Sequence, residues 1–163
     1  MPSDVPLTRE SFGDLHPIVR PEPLRPLSDR IWTADEWERI RRGSQARDMD
    51  EKWHVFAEGD VVFLHRSWTG RGIYEVSFSP VAGGGRKMTS AVVETDPESY
   101  RRTSDDFDRL MLELIISTVV LGEPADDLRA ALSNLRPGTT DLHRQAMQHS
   151  VLGARGEPRT GAN

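Results

Sequence analysis

Between residues 52 and 95 apolar side chains recur at every second position, while on either side they recur every three or four, and this change of period constrains the fold more than any other feature. The runs 52–57 and 61–67 are rich in β-formers and are separated by Glu58, Gly59 and Asp60, which predicts a hairpin with Gly59-Asp60 or Glu58-Gly59 at its turn. Two further strands are predicted at 73–79 and 90–95, joined by residues 80–88 with their three consecutive glycines. The short connections favour four antiparallel strands in a meander, because parallel neighbours need long crossovers.

Helical spacing flanks this block. Thr33 followed by Glu36 forms a capping box, Trp32 and Trp37 have the spacing of a hydrophobic staple, and a short helix over 34–42 ends at Gly43. Thr103 or Ser104 caps a second helix, predicted over 105–121, with Asp105, Asp106 and Asp108 in its first turn. Its apolar stripe begins with Phe107, Leu110, Met111, Leu114 and Ile115. Pro124 opens a third helical pattern, a weaker one is predicted over 140–149, and the glycine-rich end after Gly153 reads as a disordered tail. Residues 1–30 carry six prolines without either period and read as a flexible arm. The expected fold is therefore α+β: a four-stranded antiparallel meander, a long C-terminal core helix on one face and a short N-terminal helix near an edge, in one domain over 31–152.

Composition narrows the function by exclusion. The chain has 163 residues, 26 acidic against 21 basic side chains and no cysteine. Disulfides and thiolate chemistry are ruled out. No segment has the basic excess that phosphate-backbone binding demands, which argues against generic nucleic-acid binding. No apolar run reaches the ~20 residues of a membrane helix, and no leader pattern is visible, so the expected setting is cytoplasmic.

Candidate chemistry concentrates in two stretches. In His65-Arg66-Ser67-Trp68-Thr69-Gly70-Arg71-Gly72 the glycines would let backbone N–H groups converge on an anion, Arg66 and Arg71 would supply charge, Ser67 and Thr69 hydroxyls, and Trp68 a stacking surface. The plainer alternative is a hairpin loop with a glycine bulge. Arg47-Asp48-Met49-Asp50-Glu51-Lys52-Trp53 crowds three carboxylates between two cations, but the EF-hand spacing fails because Lys52 and Trp53 stand where acid and glycine are required. Residues 83–87 lack phosphate-loop spacing, and Ser67 lacks a nucleophile elbow. With the turn at Gly59-Asp60, His54 faces His65 and Phe56 faces Phe63; a turn at Glu58-Gly59 would separate the imidazoles. No third ligand accompanies them, so no metal or other cofactor is expected.

The pattern R-D-M-x-x-K-W, then H-R-S-W-T-G-x-x-I-Y, spans Arg47–Trp53 and His65–Tyr74. Across residues 33–95 the chain resembles a family of small uncharacterised bacterial proteins, members of which can occur with ADP-ribosylglycohydrolase-type domains. The resemblance implies a module near NAD or ADP-ribose chemistry. The acidic metal-binding motifs of those hydrolases are not present, which implies an accessory part standing alone. Two functions follow as expectations. One is a binding or accessory domain holding a phosphate-bearing nucleotide-type ligand such as ADP-ribose, or a protein partner, through Arg47, Asp48, Lys52, Trp53, Arg66, Ser67, Trp68, Thr69 and Gly70. The other is a small hydrolase of a phosphoester or N-glycosidic bond, with His65 as general acid/base, oriented by Asp50 or Glu51, and Arg66 stabilising negative charge. Whether the chain is an enzyme stays open at this point. A third role, association through the proline-rich arm alone, is also compatible with the sequence.

Overall fold

In the computed structural model, which describes residues 5–47 and 51–135, the antiparallel meander forms, with its last strand starting at Arg86 instead of residue 90 and the glycine loop shortened to residues 81–85. Strands β1 (Pro21–Pro23) and β2 (Ile31–Trp32) precede helix α1 (Ala34–Arg42), and β3 (Trp53–Glu58), β4 (Val61–Arg66), β5 (Gly72–Pro80) and β6 (Arg86–Glu94) follow it. Helix α2 (Asp105–Ile115) continues as a π-helical turn over Ile116–Val120, and α3 spans Asp126–Asn134. All pairs are antiparallel in the order β1-β6-β5-β4-β3, with β2 also on β6. The architecture is α+β with an antiparallel sheet, but six strands replace the expected four.

The first hairpin turns at Gly59, whose φ of 62° L-residues seldom adopt, and this sets His54 opposite His65 and Phe56 opposite Phe63. Alternation then sends Trp53, Val55, Val62, Leu64, Tyr74 and Val76 to the face that α2 covers with Phe107, Met111, Leu114 and Ile115. The capping box is present, with the Glu36 N–H donating to Thr33 Oγ1 at 3.0 Å and the Thr33 N–H to Glu36 Oε1 at 2.9 Å. Trp32 and Trp37 both meet Phe78, with ring centroids 6.4 and 5.1 Å away.

Two expectations about helices are corrected. The single long helix over 105–121 is an α-helix to Ile115 that widens into a π turn: Thr118 donates its hydroxyl to the Leu114 carbonyl at 2.7 Å, and Leu121 N–H reaches back five residues to Ile116. Buried hydroxyls compete for helical carbonyls in this way. Pro124 does not open the third helix, which starts at Asp126 behind a left-handed Ala125. The patterns expected over 140–149 and after Gly153 lie outside the described residues.

The proline-rich segment departs furthest from expectation. Rather than standing apart as an arm, residues 5–30 run along the sheet: β1 pairs with β6, Leu24 is 1% exposed, and its N–H donates to the Ala91 carbonyl. Prolines suit an edge strand, where one side needs no donors. The buried Glu94 carboxylate accepts N–H groups of Val19, Arg20 and Asp96 at 2.7, 2.8 and 3.0 Å. Burial works to raise its pKa, but these backbone bonds outweigh it and hold the carboxyl below its usual range. Leu24→Ala should therefore cost about 2–5 kcal/mol in urea unfolding, as for any core leucine; a loss under about 0.5 kcal/mol would show that the segment is not part of the core.

Candidate functional site

Pairing of β3 with β4 brings the two candidate stretches together, because Trp53 stands opposite Arg66. Ser67 ties them further: its N–H donates to the Lys52 carbonyl at 2.9 Å and its hydroxyl to the Glu51 carbonyl at 2.6 Å. The Lys52 ammonium lies 4.3 Å from the centre of the Trp68 ring, and Trp68 is 61% exposed. Arg47 donates its N–H to Glu51 Oε1 at 2.9 Å and its guanidinium lies 3.4 Å from Oε2, a local pair of an exposed Arg47 with a buried Glu51. Asp48 and Asp50 lie outside the described residues.

The loop does not form the expected anion nest. Gly70 N–H donates to the Arg66 carbonyl, Gly72 N–H to His16, and Arg71 N–H to the Thr69 hydroxyl, so the glycine amides are committed inside the protein. Arg71 reaches away, to the Glu98 carbonyl at 2.6 Å and Ser99 Oγ at 3.2 Å. Gly70 has a structural reason: at φ 73° the chain leaves no room for a Cβ, which would collide with the Asp14 carbonyl oxygen. Residues 12–15 cross there, and with His54, Ser67, Trp68, Thr69 and Gly70 they line a recess of about 170 Å³.

Arg66 and His65 are adjacent on β4 and so face opposite sides of the sheet. Arg66 turns to the helix side and its guanidinium lies 5.2 Å from the Trp53 ring, which stacks in turn on Tyr74. It is half-buried, and among the described residues no carboxylate is within ion-pair distance of it. Burial pulls its pKa down, although a guanidinium stays charged. His65 turns to the far side and is 1% exposed, with its ring 5.5 Å from Phe56. Its Nδ1 lies 2.8 Å from the Gly70 carbonyl, which can only accept, so this nitrogen carries the proton. Burial lowers the His65 pKa, and the hydrogen bond to Gly70 offsets this only in part. A general acid at His65 and a charge stabiliser at Arg66 are thus not aimed at a common atom, and His65 does not line the recess.

One polar cluster has no counterpart in the reading of the sequence. Tyr74 and Tyr100, the chain's two tyrosines, both donate to Asp108 Oδ1, and Arg102 Nε donates to Oδ2 at 2.8 Å. Asp108 is fully buried, and burial together with its negative charge raises the pKa of both phenols. The hint in the sequence is that Asp108 lies four residues before Leu112 on a buried helical row, where a solvated dipole partner would not sit. This cluster anchors the chain after β6 beneath α2. Among the described residues no group of three or more His, Asp or Glu side chains could hold a metal ion, and no helix is long and apolar enough to cross a membrane.

Gly70→Ala should destabilise the protein by at least roughly 2 kcal/mol, combining the left-handed penalty with displacement of residues 12–15. Chemical denaturation checks this, and a neutral effect would mean that the crossing is not tight. Comparison with models of known families, with curated proteins and with solved structures gives no match.

Proposed function

We propose that the protein is a non-catalytic binding or accessory module whose ligand is a phosphate-bearing molecule of the nucleotide type, held where the 47–53 stretch meets the 66–70 loop. The observation that carries the reading is Arg66. Among the described residues this half-buried guanidinium has no carboxylate partner, so it pays desolvation with no ion pair there to offset it, which is a poor choice for stability and a good one for receiving an anion. The guanidinium lies 5.2 Å from the centre of the Trp53 ring, and its planar fork of donors suits a group that accepts two parallel hydrogen bonds, as phosphate and carboxylate do. Lys52 beside the exposed Trp68 adds charge and a ring surface at the same end of the sheet. ADP-ribose as the particular ligand rests on the family resemblance alone.

The buried His65, turned away from Arg66, weighs against the hydrolase reading. A partner protein presenting an acidic group remains the other occupant of the same chemistry.

The test is a thermal-shift titration with ADP-ribose, AMP and inorganic phosphate on the wild type, Arg66→Ala and Arg66→Met. A ligand at 100 times its Kd should stabilise the wild type by about 2.7 kcal/mol. Neither variant should respond. Met keeps a chain to pack on Trp53 and removes a charge that has no ion-pair partner among the described residues, so Arg66→Met should be as stable as the unliganded wild type or more so. A folded variant that still responds would overturn the assignment to Arg66. No response from the wild type to any of the three would overturn the nucleotide reading in favour of a protein partner.

A further inference from the structure

The face of the sheet away from α2 carries two imidazoles, and a single segment covers them. Phe12, 6% exposed, lies 4.6 Å from the His54 ring and 5.5 Å from Phe56. Arg9 spans Phe56 and Phe63 at 5.1 and 5.0 Å and pairs with Glu58 at 2.9 Å. The far end is clamped through main chain: His16 N–H donates to the Gly70 carbonyl and Gly72 N–H to the His16 carbonyl, both at 2.8 Å. The Gly70 carbonyl therefore accepts from His16 and from His65 together.

Both rings are held in neutral form by geometry. His54 Nδ1 faces the Ala46 N–H at 3.1 Å, and since an amide only donates, a proton on that nitrogen would break the bond. His65 can add a proton only at Nε2, in a site packed by Phe56 and flanked by His54 and Gly72. The charges that face the pair are Arg9 and His16 from the covering segment, which oppose protonation. Glu58 on β3 is taken by Arg9, Glu75 on β5 lies near Arg9 and Glu58, and Asp14 is exposed at 3.8 Å from His16. Arg71, beside His16, is bound to Glu98 and Ser99. No carboxylate hydrogen-bonds either ring among the described residues.

We infer that residues 8–16 form an acid-released strap, which lies down over neutral His54 and His65 and lifts when they are protonated, while the rest of the sheet stays folded. The strap is one wall of the recess that Trp68 borders, so its release would open that recess. Burial holds the pKa of both histidines below the ordinary value in the closed state. The open state then binds more protons than the closed one. Closure is at full strength above about pH 6.5 and weakens as pH falls below it towards the lowered values. Proton uptake by one or two groups changes the opening equilibrium by up to roughly ten- or hundredfold per pH unit.

Amide hydrogen exchange, corrected for intrinsic rate, reads this without any ligand and so stands apart from the Arg66 assignment. Between pH 7.5 and 5.5 protection of the His16 and Gly72 amides should fall about tenfold or more, with Val76 and Ala91 protected as before. Asparagine places an amide where each Nδ1 lies, so His54→Asn/His65→Asn should make those two amides insensitive to pH. If that pair does not fold, His54→Asn alone, at a half-buried site, should flatten the slope. Phe12→Ala should expose the same two amides already at pH 7.5. Loss of protection across all four amides together, no loss at all, or an unchanged slope in the folded histidine variants would each overturn the strap.

Discussion

A sheet with two apolar faces and, among the described residues, a helical layer on only one of them is the constraint on which the rest of this protein depends. Alternation along β3 and β4 puts Val55 and Leu64 under α2, and by the same rule puts Phe56 and Phe63 on the other side. Phe56 is fully buried there, although no helix among the described residues covers it. The chain before α1 supplies the missing cover. Phe12 and Arg9 seal the far face, Leu24 enters the main core, and β1 and β2 protect the outer edge of β6. An uncovered strand edge would invite pairing with other chains, and the two prolines of β1 leave a poor template beyond it.

That cover also shapes the candidate site. Because residues 12–16 must cross the β4–β5 loop, position 70 must be glycine, and its amide and carbonyl are used up in the crossing. The loop is thereby a rigid corner and not an anion nest. Charge is instead presented by Arg66, which points the other way, towards Trp53 and the Tyr74–Tyr100–Asp108 cluster. The same corner orders both sides of the sheet end: the strap and the two histidines on one, the Arg66 guanidinium on the other.

Local patterns were legible where a residue's neighbours in sequence decide its state. The capping box at Thr33 and Glu36 follows from spacing and backbone stereochemistry, and so does the first hairpin, whose turn at Gly59-Asp60, one of two that the spacing allowed, sets His54 opposite His65. Misreadings arose where distant segments decide. Nothing near Pro21 shows that β6 has a free edge, and Asp108 looked like a dipole partner because the tyrosines that bury it are 8 and 34 residues away. The π turn depended on hydroxyls of Ser117 and Thr118 being buried, a matter of packing and not of helix propensity.

The sequence by itself determined the order of helix, meander and helix and the residue types gathered at the β3–β4 end, because periodicity and caps act within a few residues. Only the tertiary structure decided that the proline-rich segment closes the second face and that Gly70 spends its hydrogen bonds internally. It also decided what surrounds His65 and Arg66 on their opposite sides, with Arg66 lacking a carboxylate neighbour among the described residues. The physical reason is that burial and charge pairing are properties of surfaces brought together across the whole chain, and a strand's sequence records which side a residue faces without recording what waits there.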